Sequence, residues 1–303
     1  MTKSKRLVLT IILILIPVII FAEDHENMQS KKGFLDFLLS IKYLAVFIVA
    51  AVGITAIWMN KLSFKVRLIL MSVSFLMFGV ITIFAPWLFI TPSPVCASTK
   101  PFLYGLRPQF LATLSVIGVM SLVVGKGFCG TVCPVGALQE LLYRIPLFMK
   151  LKQIKVPFKI TNTVRIALFI LFLIVAFAFA TSTYFYYNLF DLIHWEFEMQ
   201  WIEFIQFMIF LVIVLSVSLF SYRPFCYFIC PMGLYTWVLE HTAPLKVRVN
   251  KDVCNSCGAC EKASPCNAVT GIVEGNKLRA DCHLCGDCIK SCSQSALYFG
   301  LKK

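Results

Sequence analysis

The sequence predicts an all-α multi-pass membrane bundle of five or six helices, followed by a small C-terminal α+β domain. Of its 303 residues, 59% are hydrophobic and only 14% are charged, which exceeds what the core of a soluble domain requires. Eight of the thirteen cysteines fall between Cys254 and Cys292, in a part of the chain that is much more polar. These two observations separate a membrane region from a cysteine-rich domain.

Five stretches without a charged side chain approach or exceed the roughly 20 residues that cross a bilayer as a helix. They are residues 43–60, 68–99, 108–125, 166–190 and 204–222. A sixth apolar run, 7–22, follows basic residues and suits a secretory signal peptide as well as a short first helix. The predicted organisation is a signal peptide or first transmembrane helix at 1–22, a transmembrane helix at 34–60, two transmembrane hairpins at 66–165 and 166–250, and the cysteine-rich domain at 251–303. The second hairpin is expected to end in a linker at about 232–250.

The net charge of +13 is distributed as a topology signal. Ten of the 28 basic residues lie in two loops, three from Lys61 to Arg67 and seven from Lys126 to Arg165, and the positive-inside rule assigns both loops to the cytoplasm. The connection 191–203 has no Lys or Arg and four acidic residues, so it is expected outside. The cysteine-rich domain is then cytoplasmic. The excess of basic residues is explained by membrane topology and by attraction to the lipid bilayer, which argues against nucleic-acid binding.

The C-terminal cysteines form two successive runs. The runs are Cys254, Cys257, Cys260 and Cys266, then Cys282, Cys285, Cys288 and Cys292. In a reducing cytoplasm such clusters are metal sites rather than disulfides. Three cysteines at two-residue intervals followed by a fourth wrap an iron–sulfur cubane, whereas zinc sites usually join two separated pairs. The spacing therefore favours two 4Fe–4S clusters.

Two-cluster ferredoxins exchange the fourth cysteine of each run. On that pattern one cluster is held by Cys254, Cys257, Cys260 and Cys292, and the other by Cys282, Cys285, Cys288 and Cys266. The chain departs from the pattern in the five residues between Cys260 and Cys266 and in Ser293, where a proline is expected. Residues 271–277 have the turn chemistry of a short β-hairpin, which we expect between the two runs.

A second signal is an internal repeat at an offset of 97 residues. Each copy reads Phe-Cys-x3-Cys-Pro-x-Gly, with Cys129 and Cys133 in the first and Cys226 and Cys230 in the second. The prolines after Cys133 and Cys230 exclude these cysteines from the helical region and suit the first position of a following helix. The helix N-terminus is then expected to stabilise a thiolate.

If the two hairpins pack side by side, the four hairpin cysteines converge near the membrane surface. Their role is open among a further cluster, another thiophilic metal and dithiol redox chemistry. The plainer alternative is that they are small buried residues at helix ends.

The motifs together resemble the membrane polyferredoxins of the NapH and NosR type, and most closely the NapH branch. The resemblance covers about 68–297 and rests on Phe-Cys-Gly-x-x-Cys-Pro-x-Gly-Ala-Leu-Gln-Glu, its second copy and the two cysteine runs. It implies a protein of the bacterial inner membrane that moves electrons between the quinone pool and other redox subunits, toward periplasmic reductases or assembly systems. The chain has no room for the large external flavin-binding domain of the NosR branch.

His194 is a candidate for a quinol site, because it lies beside acidic residues in the external connection. The alternative is a surface histidine within an interfacial aromatic belt.

Three function classes compete. The first is an electron-transfer subunit of an oxidoreductase, the second a metal or cofactor assembly factor that reduces copper or a thiol, and the third a membrane redox sensor. No phosphate loop, hydrolase elbow or zinc-protease motif occurs in the sequence, so the chain is not expected to break bonds by itself.

Overall fold

The computed structural model describes residues 34–39, 41–59, 64–80, 93–146, 155–185, 187–192, 201–276 and 280–301. The segment 1–22 and His194 lie outside these ranges. The helices are α1 (Phe34–Leu38), α2 (Ile41–Trp58), α3 (Phe64–Phe75), α4 (Pro94–Thr99), α5 (Pro101–Tyr104), α6 (Pro108–Val124), α7 (Gly127–Thr131), α8 (Pro134–Arg144), α9 (Phe158–Phe179), α10 (Trp201–Ser218), α11 (Pro224–Phe228), α12 (Pro231–Glu240), α13 (Ala259–Ala263), α14 (Ala268–Glu274) and α15 (Asp287–Lys290). The strands are β1 (Lys246–Val249) and β2 (Leu297–Gly300).

The predicted repeat is visible in the order of the elements. In the first hairpin, α3 and α6 lead into the short helix α7, which carries Cys129, and then into α8. In the second, α9 and α10 lead in the same way into α11, which carries Cys226, and then into α12. One hydrophobic core contains residues of both hairpins, including Val116, Phe128, Phe172 and Phe225. The two copies therefore pack against each other as one body.

Among the described helices, α9 is the one that is long and apolar enough to cross a membrane by length and composition. It has 22 residues and most of its surface is exposed. Apolar helices of 10–17 residues occur at Tyr43–Ile57, Pro108–Val124 and Phe204–Ser218. Mostly helical architecture is thus observed, with one clear candidate span.

The C-terminal domain combines short helices with a two-stranded antiparallel sheet, as the α+β prediction requires. Lys246 pairs with Gly300 and Val249 with Leu297, so the sheet joins the two ends of the domain. The expected hairpin at 271–277 was wrong, because residues up to Glu274 belong to helix α14, which ends at Gly275 with φ 80°. The expected linker at 232–250 was also wrong, since this stretch forms most of α12 and all of β1.

A second hydrophobic core connects the C-terminal domain to the hairpins. Val247, Leu297 and Phe299 of the sheet are buried in the same cluster as Ile57 of α2 and Val124 of α6. The backbone N–H of Leu245 donates to the carbonyl of Val123, at 3.3 Å. The cysteine-rich domain is therefore packed onto the ends of the membrane-type helices.

Candidate metal centres

The two C-terminal cysteine runs share one backbone conformation. In the first run Ser256 and Gly258 have positive φ, at 55° and 71°, and in the second Leu284 and Gly286 do, at 55° and 78°. Each run then continues into a short helix, α13 or α15. Ser256 and Leu284 occupy equivalent places in the two runs. Because the left-handed conformation is costly for a residue with a side chain, the surrounding fold must impose it on both loops. Such a loop turns successive N–H groups toward a common anion.

Cys254, Cys257, Cys260 and Cys292 line a single cavity of about 180 Å³. Cys257 is exposed, and the other three are half-buried. The thiol of Cys292 accepts a hydrogen bond from the N–H of Ala296, at 3.3 Å. Four thiols around one cavity, three of them on this loop, form a donor set that fits an iron–sulfur cluster at the protein surface.

The second set lies deeper. Cys266, Cys282, Cys285 and Cys288 are all buried. Cys285 is hydrogen-bonded to Cys266 and lies near Cys288, and Ser264 Oγ is 3.3 Å from the thiol of Cys266. This donor set also fits a cluster, but one that is shielded from solvent between the C-terminal domain and the hairpins.

The hairpin cysteines follow the geometry that proline predicts. Cys133 has φ −66° and ψ 117°, Cys230 has φ −64° and ψ 116°, and each precedes a proline at the first helical position. The N–H of Cys133 donates to Phe128 and that of Cys230 to Phe225, at 3.0 and 2.9 Å. The predicted departure from the helical region at both cysteines is confirmed.

All four hairpin cysteines line one apolar cavity. The same cavity is bordered by Lys126, by Pro94 and Phe190, and by His283 of the second cysteine run. Its free volume is about 20 Å³, much less than that beside Cys254. Among the described residues, no three Cys, His, Asp or Glu side chains stand close enough to hold a single metal ion. The four thiols nevertheless line one shared cavity.

The two hairpins exchange polar contacts around this cavity. Gln139 donates to the thiol of Cys226, at 3.6 Å, and Thr236, which is 97 residues later, hydrogen-bonds the thiol of Cys129. Arg223 donates to the carbonyl of Cys129, and Lys126, its counterpart at the same offset, donates to the carbonyl of Gly233 at 2.8 Å. The cavity is therefore built by both repeats reciprocally, with two cations beside the four thiols.

Burial raises the pKa of Cys230, although the backbone N–H groups of Met232 and Gly233 lower it, as expected at a helix N-terminus. Burial raises the pKa of Cys226 to about 11 and that of Cys230 to about 12. The loss of hydration outweighs the helix dipole and the nearby cations. A metal bound at this site must therefore displace protons from thiols that otherwise keep them.

Sequence reasoning missed the segments that close the cavity from the other side. Pro94 begins α4 and Phe190 belongs to a short turn after α9, and they come from the uncharged stretches 68–99 and 166–190, which were expected to span the membrane. Tyr184 donates to the carbonyl of Ile229, at 3.1 Å, and the Asn188 amide lies 3.6 Å from the thiol of Cys96. In each hairpin the connection between the long helices thus folds back toward the cysteines.

Sequence reasoning also missed a buried ion cluster around Glu140. This carboxylate is bound by Arg67 and Arg223, which donate to Oε2 at 2.7 Å each, and by the Tyr222 hydroxyl at 2.7 Å. Burial alone would raise the pKa of Glu140, but the arginines hold it well below its ordinary value. Arg67 contributed to the topology pattern and Arg223 precedes the second copy of the cysteine motif, but nothing local in the sequence indicates that they reach the same carboxylate.

A 4Fe–4S binding domain family matches two parts of the chain, 106–155 and 205–248. These segments contain the four hairpin cysteines and none of the eight C-terminal ones. An uncharacterized protein of Methanocaldococcus jannaschii is 30% identical over 204 residues, which cover 66% of this chain and 82% of that protein. The chain belongs to the NapH/NosR-like family of ferredoxin-type iron–sulfur proteins.

Other relatives of this family cover less of their own length. The putative electron transport protein YccM of Escherichia coli is 27% identical over 61% of this chain and 54% of YccM. The regulatory protein NosR of Pseudomonas aeruginosa is 28% identical over 55% of this chain and 24% of NosR. The chain thus spans about half of YccM and a quarter of NosR. No solved structure matches the chain.

Proposed function

We propose that this protein is a multi-pass membrane iron–sulfur carrier that moves electrons between a soluble redox partner and the quinone pool. The observation that carries the proposal is the order of the three cysteine sets. Cys257 of the first set is exposed, the second set is buried, and His283 of the second run borders the cavity of the four hairpin cysteines. The exposed set, the buried set and the hairpin set thus follow one another from the protein surface toward the hairpins.

The residues that would hold the clusters are those grouped by the fold. Cys254, Cys257, Cys260 and Cys292 would bind the outer cluster, and Cys266, Cys282, Cys285 and Cys288 the inner one. Bound 4Fe–4S clusters supply one-electron chemistry at potentials that the surrounding charges and hydrogen bonds adjust. The protein contributes the loop N–H groups, the shielding of the inner set and the cations beside it.

The hairpin cysteines would hold a third, thiophilic centre. The four thiols and Lys126 line one cavity. Gln139 donates to the thiol of Cys226, and Arg223 lies near Cys129 and Cys226, which suits an anionic metal–thiolate group. The match of the 4Fe–4S binding domain family to the two segments that carry these cysteines supports the assignment.

Membrane insertion through several helices is supported by the exposed apolar faces. Ile48 of α2, Ile69 of α3, Phe177 of α9 and Ile209 of α10 are each more than half exposed. Apolar surface of this extent is rarely left to water. A quinone would approach from the bilayer toward the hairpin cavity, as expected for relatives of the NapH and NosR type.

A second candidate is copper handling, because soft thiolates select Cu(I) as well as iron–sulfur clusters. The small free volume of the hairpin cavity, about 20 Å³, favours a compact group there. In that case the two C-terminal clusters would supply electrons to the metal instead of passing them to a quinone.

Metal and sulfide analysis of the purified protein, combined with potentiometric EPR, tests the proposal. The wild type should contain more iron than the about eight atoms of two 4Fe–4S clusters, and its signals should respond to a menaquinol analogue. Replacing Cys129, Cys133, Cys226 and Cys230 by serine should remove the excess metal and the quinol response while leaving two reducible clusters. If the excess metal is copper, the second candidate is supported.

The matched control is Cys96→Ser, since Cys96 is half-buried and lies outside all three sets. Unchanged metal content in the four-serine variant would refute the third centre. The absence of any reducible cluster in the wild type would refute the whole proposal.

A further inference from the structure

Asp281 takes the place, in the second hairpin, that Glu140 has in the first. Glu140 binds Arg67 from the first helix of its own hairpin and Arg223 from the other hairpin. Asp281 binds Arg165 from the first helix of the second hairpin, at 2.9 Å, and Lys126 from the other hairpin, at 2.6 Å. Lys126 and Arg223 are counterparts in the repeat, so the two carboxylates have equivalent partners.

The sequence explains why the second hairpin uses a carboxylate from the C-terminal domain. The residue 97 positions after Glu140 is Trp237, which has no charge. Arg165 and Lys126 are nevertheless buried almost completely. Buried cations require an anionic partner. Asp281 supplies that partner from the C-terminal domain, next to the cluster ligand Cys282.

Three further contacts hold the same loop against the hairpins. The N–H of Cys282 donates to the carboxyl of Glu240 at the end of α12, and Tyr227 donates to the carbonyl of Asp281 at 3.2 Å. The backbone of His283 lies directly against Gly130, where a Cβ atom would be 2.2 Å from the His283 carbonyl oxygen. Gly130 stands between Cys129 and Cys133, so this contact joins the second cysteine run to the hairpin cavity.

We propose that Asp281 is a positioning residue, which completes the charge cluster of the second hairpin and thereby fixes the loop 282–288 against the four-cysteine cavity. The docking follows from the contacts above. Its role in electron exchange between the two sites rests on the proposed function.

The test compares full-length variants in detergent or nanodiscs. Asp281→Asn removes the charge, while Gly130→Ala changes no charge but displaces the His283 backbone. Asp252→Asn is the matched control, because Asp252 is an exposed carboxylate of the same domain. The measurements are the rate of tryptic cleavage at Lys246 and Arg248, the iron content, and the magnetic interaction between the cluster of the second run and the hairpin centre.

We expect both Asp281→Asn and Gly130→Ala to keep their cluster iron, to be cleaved about tenfold faster or more, and to lose the magnetic interaction. Asp252→Asn should stay within about twofold of the wild type, because exposed charges contribute little. If Asp281→Asn fails to fold, Gly130→Ala still tests whether the loop 282–288 must dock against the hairpin cavity.

Wild-type cleavage rates in both variants would overturn the proposal, as would an intact magnetic interaction in Gly130→Ala. If the four-serine variant shows that no third centre exists, the magnetic measurement has no wild-type signal, and the cleavage rates alone decide the docking. Failure of the proposed function and failure of the docking are therefore distinguishable.

Discussion

At the residue scale, buried ion pairs connect elements that are far apart along the chain. Arg67, Arg165 and Arg223 are among the largest fully buried side chains. Each of them reaches a buried carboxylate, Glu140 or Asp281. Removing one partner of a buried ion pair leaves the other charge buried and unpaired, which is strongly destabilising. These arginines therefore hold specific elements together.

Glu140→Gln should destabilise the protein by about 3–5 kcal/mol, because Arg67 and Arg223 would then stay buried without an anion. Since the arginines hold the pKa of Glu140 well below its ordinary 4.5, its contribution is complete above that pH and is lost only as pH falls through the lowered pKa. Denaturant titration in detergent measures the difference.

The control for this prediction is Glu274→Gln, an exposed carboxylate that contacts Asn276. It should change the free energy of unfolding by less than about 1 kcal/mol. Equal effects of the two substitutions would contradict the assigned importance of the buried cluster.

At the element scale, each hairpin turns sharply between a short cysteine helix and the helix that follows it. Gly136 of α8 approaches the carbonyl of Cys129, and Gly233 of α12 approaches the carbonyl of Cys226. A Cβ atom at these glycines would stand 2.8 and 2.9 Å from those oxygens. The repeat therefore conserves the same close helix contact in both copies of the chain.

Gly136→Ala and Gly233→Ala should each destabilise the protein by about 1–3 kcal/mol, because the added methyl group must push the cysteine helix away. Thermal unfolding in detergent and metal content measure the effect, which we expect to be similar for the two variants.

Gly271→Ala serves as the control, because its Cβ would make only ordinary contact, 3.8 Å from Asn276. Inside helix α14 this change should be neutral or stabilise by up to about 1 kcal/mol. A result in which all three alanine variants behave alike would contradict the steric account.

At the scale of the whole molecule, the C-terminal domain depends on its cysteine loops. Its described residues form one two-stranded sheet and three short helices, which bury little apolar surface of their own. Ligation of the clusters should supply much of its folding free energy. The hairpins have a separate core around Phe172 and Phe225 that does not include the sheet.

Removal of iron by a chelator under oxidising conditions should make residues 246–301 sensitive to protease while the hairpin helices persist. Far-UV circular dichroism should retain most of its helical signal, and mass spectrometry should locate the early cleavages in the C-terminal domain. A metal-free domain that resists protease as well as the wild type would contradict this expectation.

The sequence by itself determined the features that depend on neighbours along the chain. Cysteine spacing defined the candidate ligand sets, and Pro134 and Pro231 fixed the conformation of Cys133 and Cys230, since proline restricts the residue before it. The offset of 97 residues gave the repeated hairpin. The spacing of cysteines says nothing of the strands, so β1, which pairs with residues about fifty positions later, was missed.

Only the tertiary structure decided which groups meet across the repeat. Arg165 and Asp281 are 116 residues apart, and Lys126 and Gly233 are 107 apart. A long-range ion pair leaves no periodic or local pattern, because either partner alone is compatible with a basic loop or an exposed acid. Packing of the two hairpins brought the four cysteines around one cavity, and the missing carboxylate at position 237 was replaced by Asp281 from another domain.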